Sequence, residues 1–341
     1  MHLQNELLFD LKQKPKLKTY QIKSQNGISV EIINLGARIK SIKIPTATGH
    51  RDIVLSYPNL NTYQHDRYYL GAICGRYAGR IGNGRFALNG DSFLLTRDLS
   101  AGPHALHGGA IGFSNKEWER AQDSPINVAD LKIFSPDSDQ GFPGNLSASV
   151  KYELLDPGSL VIDFTATTDK PTTINLASHI YFNLDGKASH ISDHSIRINA
   201  EEYTVQDNTL LPTGEIKHVA NTPFDMRESS DLKSKLEELR KLTGGSGFDQ
   251  NFVINRKEDD LTLAATLTSS SSDLTMQVYT DHPGLQLYTG QYLEKPFYPG
   301  AGLCLETQAF PDSPNQPSFP SAILLPEKIY KKQTVLKFIW N

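Results

Sequence analysis

Alternation of apolar and polar side chains, repeated from one end of the chain to the other, most limits the folds open to this sequence. Residues 28–32 set Ile28, Val30 and Ile32 against Ser29 and Glu31, after an Asn26-Gly27 turn. Ile42 and Ile44 resume the pattern beyond Gly36. Residues 160–167 set Leu160, Ile162, Phe164 and Ala166 against Val161, Asp163, Thr165 and Thr167. Residues 261–268 place Leu261, Leu263, Ala265 and Leu267 opposite mainly threonine, and Leu274, Met276 and Val278 follow. A period of two is that of a strand, whose successive side chains point to opposite faces. Asn83-Gly84 and Asn89-Gly90 bracket Phe86-Ala87-Leu88, a hairpin signal. Val335 and Phe338 carry the pattern almost to the end. Such runs, separated by turns, predict a large all-β antiparallel protein.

One helix is expected where Leu232, Leu236, Leu239 and Leu242 fall at helical spacing. Ser230 can cap it, Gly244 can end it, and Glu237 with Lys241 adds an i,i+4 pair. At roughly 150 residues per domain, 341 residues would accommodate two domains. No linker, repeat or low-complexity tract divides the chain, so residues 1–341 are read as one domain.

The net charge of -4 leaves no basic footprint for nucleic acid. No segment approaches the ~20 apolar residues of a membrane helix. The N-terminal residues 1–18 scatter charges among their apolar residues and lack the core of a signal peptide. A cytoplasmic protein is expected, and the Asn145-Leu146-Ser147 sequon then carries no meaning. Cys74 and Cys304 sit in apolar runs and are read as small core residues, with a single bridge as the alternative.

Several stretches could carry chemistry. Leu303, Cys304 and Leu305 deliver Glu306 to a loop rich in Pro, Asn and Ser, which reads as a buried strand with an acid at its mouth. Rigid support and partial burial suit a catalytic carboxylate, whereas a lone strand-end Glu is more often a salt-bridge partner. Arg76, Arg80 and Arg85 alternate with glycines in a pattern that matches no nucleotide loop. Arg85 is read as solvated, and at least one of the other two as facing a ligand. In HALHGG, His104 and His107 lack further ligands for a metal, and His107 is the better hydrogen-bonding candidate. His179, among aromatics in SHIYFNL, could act as an acid or base near its ordinary pKa of roughly 6.5, or could be a core histidine. Asp249, in a turn with Gln250 and Asn251, could read hydroxyls or form an Asx turn. Gln286 and Tyr288 share a strand face and could line a cleft.

Taken in order, GRYAGRI, HALHGG, SHIYFNLDG, NTPFDMR, GFDQNF, PGLQLYTG and LCLETQAFPDSPNQPSFP resemble the aldose 1-epimerases (galactose mutarotases) over nearly the whole length. The resemblance implies the large antiparallel β-sandwich called the galactose mutarotase-like supersandwich, with few short helices and an open sugar cleft. It implies an isomerase that interconverts the α and β anomers of a free aldohexose such as galactose or glucose, in hexose metabolism. By the same resemblance Glu306 is the general base and His179 the general acid. Arg80, His107, Asp249 and Gln286 hold the sugar. No metal or cofactor is expected, and the only partner is a monosaccharide, acted on by a monomer or weak homodimer. Gly79, Ser178 and Gln250 depart from the residues common at their positions (Asn, Asn and His) and, lying beside sugar-binding residues, bear on which sugar is preferred. Competing readings are an epimerase of phosphorylated hexoses, with Arg76 and Arg85 as the extra cations, a glycoside hydrolase using Asp249 with Glu306, and a sugar-binding module without catalysis.

Overall fold

The alternating runs pair into three main antiparallel sheets. The structure, a computed structural model, describes residues 16–340 apart from 48, 100–101, 123, 187–188, 258–259 and 272. The signal-peptide reading of residues 1–18 therefore lies almost wholly outside the described residues.

In the nine-stranded sheet a meander of Val128–Ser135, Leu146–Leu155 and Ser159–Thr168 continues through the C-terminal strand Tyr330–Trp340 into Leu274–Thr280, Thr262–Thr268 and Ser195–Ile198, with the two-residue strands Glu119–Arg120 and Ser230–Asp231 at its edges. A six-stranded sheet runs in the order Tyr181–Phe182, Leu303–Gln308, Gly284–Tyr288, Asp249–Val253, Glu202–Gln206 and Pro212–His218. Four strands from Thr19–Lys23 to Gly49–Asp52 form the third. One apolar cluster takes residues from all three, among them Ile162 and Val278, Phe252 and Leu303, and Val30 and Ile42. Burying that shared surface is the main force holding the sheets together.

Most of the expected strands form, with informative departures. In Thr262–Thr268 the register against Leu274–Thr280 shifts between Leu263 and Ala265. The bulge turns both Ala264 and Ala265 inward and leaves Leu261 45% exposed, so the strict alternation read there does not hold. The helix spans Leu232–Thr243, but its cap is Asp231, whose carboxylate accepts the Ser234 N–H at 2.8 Å; Ser230 is taken by the edge strand. Gly244 ends it at φ 69°. Leu242 is 67% exposed, and the side-chain pair that forms is Lys235–Glu238. Cys74 and Cys304 are buried free thiols.

Candidate active site

In the six-stranded sheet, Gly284–Tyr288 and Leu303–Gln308 are buried along their whole length. Leu285, Leu287, Leu303 and Leu305 enter the core cluster. By alternation Gln286, Tyr288, Cys304, Glu306 and Gln308 face the other way, and all of them but Cys304 line the floor of a cleft of about 660 Å³. The strand does not stop at Glu306, as its polar neighbours imply, but runs on to Gln308. Glu306 is therefore a mid-strand residue, opposite Gln286 in register and 3% exposed.

His179 reaches this carboxylate from a break between strands. Ala177–Ser178 pairs with Ile73–Cys74, whereas Tyr181–Phe182 pairs with Leu303–Cys304. The single strand expected over 178–184 therefore changes partners at His179, whose own N–H and carbonyl bind Ala72 and Gly71. This places His179 Nε2 at 3.7 Å from Glu306 Oε1 and Nδ1 at 3.5 Å from Cys304 Sγ. Tyr69, Tyr181 and Tyr288 surround the imidazole at ring separations of 5.7, 5.1 and 6.3 Å.

GRYAGRI and HALHGG are two halves of one ribbon. Arg80 pairs with Leu106 and Ile81 with Ala105, which sets Arg80 and His107 side by side on the cleft wall. Gly108 (φ 95°) packs so tightly on Gly75 that a Cβ there would lie 1.8 Å from the Gly75 carbonyl oxygen, which explains why a glycine follows His107. The Asn175 amide straps this segment to the Glu306 strand, donating to the Ala78 carbonyl and accepting the Ala309 N–H, each at 2.9 Å. In the PDSPN loop, Asp312 accepts the Gly82 N–H at 2.8 Å and donates its own N–H to the Arg80 carbonyl.

Asp249 opens a strand instead of lying in a turn, and pairs with Tyr288. Its carboxylate accepts the Gln286 amide at 2.6 Å and lies 3.5 Å from Arg80. The six residues singled out from the sequence, Glu306, His179, Arg80, His107, Asp249 and Gln286, thus line one cleft. Tyr69, Tyr181 and Gln308 also line the cleft and were not singled out. The alternation around Glu306 is the signal that could have found Gln308.

Other residues have structural roles. Arg76 is 2% exposed, and its guanidinium donates to the Pro143, Gly144 and Ser135 carbonyls. Burial lowers its pKa to about 10. Arg85 is exposed on its hairpin, so neither supplies a cation to the cleft. His104 is tied to the Asn83 N–H and the Thr209 hydroxyl. Of the three departures only Gly79 lines the cleft; Gln250 gives its amide to the Thr204 carbonyl, and Ser178 pairs with Ile73.

Burial sets the proton affinities. It raises Glu306 to about 8, with the Asp249 charge adding to the effect and Arg80 opposing it. It lowers His179 to about 4, so this imidazole does not keep the ordinary value assumed from sequence. Between those limits the couple carries one proton, which these affinities place on Glu306. His107 is lowered well below its usual range by burial and by His179 and Arg80.

His107, His179 and Glu306 offer ligand atoms within 4.8 Å of one another, a spacing that could admit a metal ion. However, His107 Nδ1 accepts the Gly79 N–H at 3.2 Å, so the neutral ring carries its proton on Nε2. That nitrogen then presents a donor, which suits a hydroxyl oxygen better than a cation.

The sequence model of the aldose 1-epimerases matches residues 18–337. An aldose 1-epimerase of Escherichia coli K12 is 36% identical over 93% of this chain and 94% of its own. A human galactose mutarotase is likewise 36% identical, over 94% of each chain. Among solved structures, an aldose epimerase homologue from C. elegans superposes with a TM-score of 0.88 at 27% identity, covering 95% of this chain and 99% of that one. A galactose 1-epimerase from Lactobacillus acidophilus gives 0.83 at 28% identity, with 97% and 96% covered. These matches span nearly the whole chain, and their fold is the antiparallel β architecture described above. The chain belongs to the aldose 1-epimerase family.

Proposed function

We propose that the cleft binds a free aldohexose such as galactose or glucose and interconverts its anomers, with Glu306 as base and His179 as acid. The observation that carries this reading is the buried Glu306–His179 couple, 3.7 Å apart, on the floor of a cleft lined with hydroxyl-binding groups.

Hydroxyl donors of the sugar hydrogen-bond to the buried carboxylate and lower its proton affinity. The proton of the couple then moves to His179, giving a carboxylate and an imidazolium. Glu306 takes the proton of the C1 hydroxyl while His179 donates to the ring oxygen, and the C1–ring oxygen bond breaks. The open aldehyde rotates about C1–C2. Closure on the other face reverses both transfers and restores the couple. Each partner contributes roughly 10²–10⁴-fold. Ring opening and closure move protons and break and re-form one C–O bond with no change of oxidation state, so no redox or phosphoryl cofactor is called for. Arg80, His107, Asp249 and Gln286 hold the ring hydroxyls.

The competing chemistries fit less well. A phosphorylated hexose needs unpaired cations, whereas Arg67 and Arg80 of the cleft are paired with Glu294 and Asp249. A glycoside hydrolase needs Asp249 as a working carboxylate, yet Arg80 and Gln286 hold it. A binding module has no use for a buried couple of this kind. We take the whole chain to act as one domain, in the cytoplasm, as a monomer or weak homodimer. Polarimetry tests the reading: freshly dissolved α-D-galactose or α-D-glucose should reach its equilibrium rotation faster with the protein. Unchanged decay with both sugars would refute it.

A further inference from the structure

We infer that Gln308 is a sugar-positioning residue whose side-chain amide takes a hydroxyl on the C2–C3 edge of the bound aldose. Gln308 lines the cleft and is 1% exposed, yet neither its Nε2 nor its Oε1 has a partner among the described residues. An amide offers two N–H donors and a carbonyl acceptor. Leaving both ends unpaired in a buried place destabilises the fold unless something else meets them.

Register explains why no neighbouring side chain does so. Gln308 stands opposite Gly284, which has no side chain to offer. A Cβ at Gly284 would fall 2.6 Å from Asn251 Oδ1 and 2.9 Å from the Phe310 ring, so the position is closed to other residues. Gln286 differs, having given its Nε2 to Asp249, although its Oε1 is unpaired, as is Glu306 Oε2. The unpaired polar atoms of Glu306, Gln286 and Gln308 thus gather on one floor, as expected of a surface built for a polyhydroxylated ligand.

Strand geometry gives the edge of the sugar, and this step rests on the acid–base reading above. Cys304, Glu306 and Gln308 share the cleft face of one strand, where residues two apart are separated by about 6.5 Å. His179 sits over the Cys304–Glu306 half, 3.5 Å from Sγ and 3.7 Å from Oε1. Gln308 is on the other side of Glu306. With the C1 hydroxyl at Glu306 and the ring oxygen at His179, C2 lies on the Gln308 side, since C1 is bonded to the ring oxygen and to C2. The amide can give and accept in one place, and so holds a single hydroxyl twice.

The test is polarimetric kinetics of Gln308→Met, which keeps the length and removes the amide. The substrates are D-galactose or D-glucose, whichever is turned over faster, and its 2-deoxy and 3-deoxy counterparts. KM for the parent sugar is expected to rise about tenfold or more with kcat little changed, the loss of about one hydrogen bond. For one of the deoxy sugars, which already lacks the contact, variant and wild type should share the same KM. The thermal midpoint should not fall, because an unpaired amide has been replaced by an apolar chain of similar shape. Gln308→Asn, which keeps the amide but withdraws it, should show the same KM pattern and serves if the Met variant does not fold. An unchanged KM for the parent sugar, or an equal loss on all three sugars, would overturn the inference. A wild-type protein inactive on all of them would overturn the epimerase reading as well, whereas an active wild type with an indifferent variant overturns this inference alone.

Discussion

Glu306 and His179 reverse the proton affinities that their side chains have in water. A carboxyl near 8 and an imidazole near 4 leave one proton on the couple across that interval. Below it both groups are protonated and no base remains; above it both are bare and no acid remains. The kcat/KM profile for mutarotation should therefore rise through about 4 and fall through about 8. A single sigmoid centred on the ordinary histidine value would contradict this. Glu306→Gln keeps the shape and removes the proposed base, and should lower kcat/KM by roughly 10²–10⁴-fold. The same variant has a stability signature. The folded-state affinity of Glu306 is raised above its unfolded value, so its contribution is complete below the unfolded pKa and is lost as pH rises through about 8. The thermal midpoint of Glu306→Gln relative to wild type should therefore be higher around pH 9 than around pH 5, where the difference is small. A constant offset at both would show that Glu306 does not carry this proton in the folded state. The type of residue at each position was legible in the sequence, but its charge state was not, because desolvation depends on what packs around it.

At the level of elements, the site is assembled by short ribbons and a strapping loop instead of by long strands. Arg80 and His107 are adjacent because Arg80–Ile81 pairs with Ala105–Leu106, which His107 follows, and the ribbon is fixed from behind by Gly108 on Gly75. Gly108→Ala should displace that ribbon. Expected are a fall in the thermal midpoint worth about 1–3 kcal/mol, typical of backbone strain, and a higher KM. An unaffected protein would show that the ribbon yields freely. Asp312→Ala removes the acceptor of the Gly82 N–H without touching the cleft, and should raise KM more than it lowers kcat, measured by polarimetry. HALHGG and PDSPN were both visible as motifs, but their partners were not. The hydrogen bond that the Gly82 N–H gives to Asp312 spans 230 positions in sequence, and local pattern holds no record of such pairings. The break at His179 and the bulge at Leu263 escaped for the same reason: both arise where a strand changes or shifts its partner.

For the whole molecule, the C-terminal strand Tyr330–Trp340 is decisive, because it lies in the middle of the nine-stranded sheet. It joins Ser159–Thr168 on one side to Leu274–Thr280 on the other. Ending the chain before Tyr330 would expose two inner strand edges and open the core at Leu336 and Phe338. The truncated protein should be insoluble or lack a cooperative thermal transition; a folded, active product would show the two halves to be independent. By itself the sequence determined the class of fold, since a period of two commits each run to a strand with one buried face wherever it pairs. It also determined the family, because ordered motifs keep their residue types, and it named six residues that the fold gathers in one cleft. Tertiary structure alone decided that Arg76 is a core strut while Arg80 faces the cleft, that Gln250 turns away and Gln308 turns in, and where the shared proton rests. Orientation, burial and desolvation belong to residues brought together from distant positions, and they are properties of the packed molecule.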